Sequence, residues 1–164
     1  MSSASPPPAA RVRRADAADA DAIGRLLHDF NAEYEVATAA PEAIAERMRL
    51  LFAEEPRFTV LLAGADDVTP GGFAVLRFRR ALASEGLECH LAELYVTPQR
   101  RGHGLGRALM EEAIALARQE GADTIDLGTS DDDHAARALY ESLGFVNREG
   151  GPDGPLSYFY ELEL

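Results

Sequence analysis

One cysteine, Cys89, in 164 residues rules out an intrachain disulfide and any metal site built from several thiolates. It has no neighbouring nucleophile motif and reads as a small buried strand residue. No apolar run approaches the roughly 18 residues of a membrane span, and the N-terminal MSSASPPPAARVRR lacks the hydrophobic stretch of a secretory signal. A cytoplasmic protein with no membrane partner is therefore expected. Positive charge is scarce: 16 Lys+Arg face 28 Asp+Glu, for a net charge of -12. Phosphate binding rests on basic residues, so nucleic acid is a poor partner. A cationic substrate would be drawn to such a field. His28, His103 and His134 have no metal-ligand spacing with each other or with carboxylates, so no metal is expected.

The chain length suits one domain, and 46% hydrophobic residues with charges well mixed in suit a globular fold. Residues 1–10, with three consecutive prolines, read as a disordered lead, and residues 11–164 as a single domain. Strands are expected over Arg11–Arg14, Thr59–Ala63, Gly72–Arg79, Glu88–Val96 and Thr124–Gly128, with DDVTPGG as a hairpin turn. Arg77, Arg79 and Arg80 close their strand and face either acidic groups or solvent, a solvated edge being the expected reading. Helices are expected over Asp16–Tyr34, from Pro41, over His103–Gln119 and from the aspartates 131–133 to Gly144. Two closing strands, near Phe145–Arg148 and Ser157–Leu164, flank GGPDGP. Alternation of strand and helix in the second half implies at least one parallel pair.

The stretch LYVTPQRRGHGLGRAL, Leu94 to Leu109, takes a strand through a glycine-rich turn into a helix. Gly102, Gly104 and Gly106 remove Cβ atoms between a ligand and the backbone. The first N–H groups of the next helix have no intrahelical partner and can hold anionic oxygens. Arg100, Arg101 and Arg107 add charge, and no acidic residue lies between Leu94 and Met110. A dinucleotide fingerprint fails on register, and no G-K-[ST] exists for a P-loop. A pyrophosphate held by successive amides fits what is left.

Arg101 to Gly106, R-G-H-G-L-G, resembles the acetyl-CoA signature R/Q-x-x-G-x-G/A of the GNAT superfamily of N-acetyltransferases. Ala135 to Phe145, AARALYESLGF, is similar to the A-x-x-L-Y-x-x-x-G-F helix that follows that signature. The resemblance implies an α/β fold, with a mixed, mainly antiparallel twisted sheet flanked by helices. It also implies acetyl-CoA as co-substrate and acetyl transfer to a primary amine by direct attack. The backbone of Leu94, Tyr95 and Val96 would hydrogen-bond the pantetheine arm, with the Val96 N–H polarising the thioester oxygen. Arg101, Gly102, His103, Gly104, Leu105, Gly106 and Arg107 would hold the pyrophosphate.

Tyr140 shares a helical face with Ala136, Leu139 and Leu143, so spacing alone also reads it as a core tyrosine. The resemblance makes it the general acid that protonates the departing sulfur. An alkylammonium of pKa ~10.4 must lose its proton before it attacks. The resemblance implies a side-chain base at Glu93 or His90, with an ordered water as the alternative; from the residues alone Glu93 also reads as an ion-pair partner of an arginine and His90 as a satisfied strand histidine. Three positions apart on a regular strand they face opposite ways unless a bulge intervenes. Asp133 stands where many family members carry Asn and reads as a helix N-cap. A small-molecule amine is the expected acceptor, and the resemblance admits a homodimer. The rival readings are a protein N-terminal or lysine acetyltransferase and a non-catalytic acyl-CoA-binding module.

Overall fold

Arg11–Arg14 form strand β1, and Asp16 ends it by starting a helix. Its side chain accepts from the Ala18 N–H at 2.8 Å while Asp19 accepts from the Asp16 N–H at 3.0 Å. This reciprocal cap satisfies two donors that a helix start leaves open. A 3-10 turn at Ala17–Asp19 leads into α1, Ala20–Glu33. The expected single helix from Asp16 is thus a capped turn followed by the helix proper. Pro41 opens α2, Pro41–Glu54, where its missing N–H costs nothing. The two helices approach closely at Gly24, where a Cβ would lie 2.5 Å from the Pro41 carbonyl oxygen.

The remaining elements are β2 (Phe58–Gly64), β3 (Gly72–Arg80), β4 (Leu87–Val96), α3 (Leu105–Gln119), β5 (Ala122–Leu127) and α4 (His134–Ser142). The computed structural model describes residues 10–64, 69–162 and 164, so nearly all of the expected lead and Asp66–Val68 of the expected hairpin turn lie outside the described residues. The chain divides into two compact units, one through Asp126 and one from Leu127.

In the first unit the sheet order is β1-β2-β3-β4-β5. The first three pairings are antiparallel. At the far edge the Leu87 N–H donates to the Gly121 carbonyl at 3.1 Å and the His90 ring meets Asp126. Both strands therefore advance together, which makes the sheet mixed. Phe58, Val60, Leu62, Phe73, Val75 and Tyr95 pack with Ile23, Leu26, Ile44 and Met48 of α1 and α2. The opposite face, with Leu61, Ala74 and Leu76, lies against α3, which packs on β2, β3 and β4 and buries Leu109, Met110, Ala113 and Leu116. Arg77 pairs with Glu55 at 2.7 Å and Arg79 with Glu88 at 2.6 Å, so for two of the three arginines the acidic-group alternative holds over the expected solvated edge.

In β4 the pairing slips. Val75 stands opposite Glu93 while Leu76 stands opposite Leu91, which leaves Ala92 as an extra residue. A bulge of this kind reverses the alternation beyond it. Leu91 and Tyr95 are four apart and would share a face in a regular strand. Here Tyr95 lies in the α1/α2 core beside Phe73, while Leu91 is matched to Leu76 on the α3 side.

In the second unit the Asp133 carboxylate accepts from the Ala136 N–H at 3.0 Å and caps α4. The two expected closing strands do not form among the described residues. A single bridge joins Arg148 and Leu156, and the Ser157 N–H donates to the Asn147 carbonyl at 2.9 Å. A ladder needs a half-buried face to pack, yet Tyr158, Phe159, Tyr160 and Leu162 are all exposed.

Candidate active site

The glycine turn begins where β4 ends. The Thr97 N–H donates to the Gly71 carbonyl at 2.9 Å, so in an antiparallel ladder the neighbouring Val96 turns its own N–H and C=O away from β3. On its other side β5 has reached only the level of His90 by Asp126, and Leu94, Tyr95 and Val96 lie further along. A short 3-10 turn, Pro98–Arg100, then leads to Arg101.

Gly102 and Gly104 have φ of +74° and +82°. A Cβ at either would meet nothing within 4 Å. Glycine is therefore required by backbone conformation, since the left-handed region is costly for other residues. Gly104 is the N-cap of α3 and makes no side-chain cap; the first helical bond runs from the Ala108 N–H to the Gly104 carbonyl at 3.0 Å. The amides of Leu105 and Gly106 precede that bond and have no intrahelical acceptor. The helix starts two residues later than the expected His103 because Gly104 breaks the right-handed run. Leu105 is buried and anchors the first turn, while Gly102, His103 and Gly104 are exposed.

Of the turn's charged side chains, Arg101 is heavily engaged. Its Nη2 meets the Glu33 carboxylate at 2.7 Å and its Nε donates to the Val96 carbonyl at 3.0 Å. Its guanidinium lies 5.7 Å from the centre of the Tyr95 ring. Arg107 stands 3.8 Å from Glu111 one turn along α3. His103 Nδ1 donates to the Arg101 carbonyl at 2.8 Å, which leaves Nε2 as its second polar atom. The stretch free of acidic residues in sequence thus acquires acidic neighbours in space, Glu33 at Arg101 and Glu111 at Arg107.

His90 and Glu93 share the α1/α2 face of β4, opposite Arg77 and Val75 respectively. Burial pushes the Glu93 carboxyl above its ordinary range, and nearby His90 partly offsets this. His90 Nδ1 donates to Asp126 at 2.6 Å, fixing the ring with Nε2 available as an acceptor when neutral. Asp126 was not singled out in the sequence, which marks Thr124–Gly128 only as a strand.

Tyr140 belongs to the second unit. It is buried on α4, its ring centre 6.0 Å from that of Phe145, and its carbonyl accepts from the Phe145 N–H at 3.1 Å. Cys89 is fully buried, and burial, then the charge of Asp126, pushes its thiol up to about 11. Among the described residues no three His, Cys, Asp or Glu side chains gather as a metal site, and no helix is long and apolar enough to cross a membrane.

Comparison with known proteins gives a consistent assignment. The model of the acetyltransferase (GNAT) family matches residues 23–145. A mycothiol acetyltransferase of Sanguibacter keddieii is 37% identical over 131 residues, which are 79% of this chain but only 38% of that protein's length. The thialysine N-epsilon-acetyltransferase of Mus musculus is 28% identical over 160 residues, 93% of each chain. A crystal structure of a candidate acetyltransferase from Arthrobacter sp. FB24 superposes with a TM-score of 0.81 at 39% identity, covering 93% of this chain and 96% of that one.

Proposed function

The chain belongs to the acetyltransferase (GNAT) family, and we propose that it carries the acetyl group of acetyl-CoA to the primary amine of a small molecule by direct attack. The observation that carries this reading is the left-handed Gly102–Gly104 turn opening α3 at the end of β4. Successive amides at a helix start, with no Cβ in front of them, suit a pyrophosphate. The outward N–H of Val96 suits the thioester oxygen, which gains charge as the amine attacks. Leu94 to Val96 offer the pantetheine arm a strand edge to pair with.

Glu93 takes the proton of the incoming ammonium. Its partial burial raises its basicity toward neutral pH. His90, oriented by Asp126, stands on the same face. Tyr140 gives its phenolic proton to the departing sulfur, the thioester C–S bond breaks to a neutral thiol as the C–N bond forms, and the second proton lost by the nitrogen restores the phenol, with no covalent acyl-enzyme. Acidic composition and the names of two relatives, a mycothiol and a thialysine acetyltransferase, favour a small amine acceptor. The test is thiol release from acetyl-CoA against a panel of polyamines, aminoglycosides, amino acids and short peptides. Turnover of a small amine supports the reading. Preference for peptides would make the enzyme a protein acetyltransferase, and binding of CoA without turnover of any acceptor would make it a binding module.

A further inference from the structure

Glu33 is the last residue of α1, 68 positions before Arg101 in sequence, yet it makes two of a connected set of contacts at the end of β4. Its carboxylate meets Arg101 at 2.7 Å and accepts the hydroxyl of buried Tyr95. Arg101 in turn holds the Val96 carbonyl through Nε and lies over the Tyr95 ring. Phe30, one turn earlier on α1, has its ring centre 5.1 Å from that of Tyr95.

We propose that Glu33, acting through Arg101, is a positioning residue for acetyl transfer: it fixes the backbone of Val96. This rests on the reading that the Val96 N–H polarises the thioester. The carbonyl and N–H of Val96 flank the same α-carbon and both point away from β3, so a restraint on one limits rotation of the other. A planar guanidinium can bind a carboxylate and a carbonyl at once, which an ammonium does less well. With Nε committed to Val96 and Nη2 to Glu33, Arg101 serves the cofactor site by shaping backbone, and Nη1 alone lies outside these two contacts. The same link ties the C-terminal turn of α1 to the cofactor turn.

The experiment compares the wild type with Glu33→Gln, Arg101→Met and the double variant. Two readouts are used: steady-state kinetics with calorimetric CoA binding, and amide hydrogen exchange of the Tyr95–Thr97 segment in the free protein. The expected result is a kcat about tenfold lower in each single variant, the scale of a small misplacement, with CoA affinity within about twofold. The double variant should be no worse than the singles. Exchange at Tyr95–Thr97 should accelerate equally in all three variants. Two results would overturn the proposal. One is a tenfold or greater loss of CoA affinity in Arg101→Met together with tighter binding in Glu33→Gln, the pattern of a phosphate ligand held back by its acid. The other is unchanged exchange in the variants. If the wild type neither binds nor turns over acetyl-CoA, the enzymatic reading fails, while exchange still decides whether Glu33 and Arg101 hold the strand.

Discussion

His90 and Glu93, three residues apart on β4, lie on one face of the sheet because Ala92 is bulged out between them. Without the extra residue one of the two would face α3. The bulge therefore places two titratable groups where only one was expected, and it does so just before the strand delivers Tyr95 and Val96 to the glycine turn. Bulges are a common way of re-aiming side chains beside a site. Here the result is a carboxyl on the same face as an imidazole already oriented by Asp126.

Glu93→Gln is expected to lower kcat/KM roughly 100-fold or more, as loss of a general base does, and yet to raise the melting temperature at neutral pH. Burial raises the Glu93 carboxyl. A carboxyl whose folded value is raised contributes fully below the unfolded value of about 4.3 and loses that contribution as pH rises through the folded value. The glutamine never ionises, so the variant should melt higher than the wild type above this window and match it below. Melting curves at pH 4 and pH 8 check the sign. A lower melting temperature for the variant at pH 8 would mean that ionised Glu93 is held by a partner instead of penalised by burial.

The glycine turn and the helix behind it were legible in the sequence, because three glycines at spacing two and the amphipathic run after them are local signals. The cap at Asp133 was legible for the same reason. The bulge was not: Leu91-Ala92-Glu93 reads like any strand, and only the register against Val75 and Leu76 exposes the extra residue. Glu33 was invisible as a partner of Arg101, since nothing local links residues 68 apart. Tyr158, Tyr160 and Leu162 misled in the other direction. Their alternation imitates a strand, but alternation specifies pairing only where one face finds something to pack on, and these side chains are exposed.

Gly104→Ala tests whether the turn works through conformation. At φ +82° with no atom near the absent Cβ, the substitution meets backbone strain alone. The cost is roughly 1–2 kcal/mol, relieved by flattening the turn. CoA affinity should fall by a comparable factor of about ten. Asn tolerates the left-handed region better, so Gly104→Asn should retain more affinity than the alanine variant despite its larger side chain. Calorimetry on the three proteins ranks them, and an alanine variant that binds better than the asparagine one would show that bulk, not φ, limits the site.

Tyr140→Phe keeps the ring that packs against Phe145 and removes only the hydroxyl. If the phenol protonates the sulfur, turnover should drop by roughly one to three orders of magnitude while CoA affinity stays nearly intact. A core tyrosine would behave otherwise, losing thermal stability with little change in kcat. Measuring kcat, CoA affinity and melting temperature on one preparation separates the two.

Acetyl transfer is usually followed by trapping the released thiol or by counting acetyl groups on protein, and this chain's own side chains should add no background to either assay. Cys89 is its single thiol, fully buried with its ionisation pushed up to about 11. Thiolate, the reactive form, is therefore scarce and inaccessible in the folded state. All 16 basic residues of the Lys+Arg class are arginines, which carry no nucleophilic amine at neutral pH. The native enzyme should leave a thiol-trapping disulfide reagent unreacted over an assay and react with one equivalent after denaturation. Incubated with acetyl-CoA and no acceptor, it should show no acetylated side-chain amine by peptide mass spectrometry. Rapid labelling of the native protein would place Cys89 in an opening segment of β4, and the strand that carries Glu93 and Val96 would then be far less rigid than its buried neighbours require.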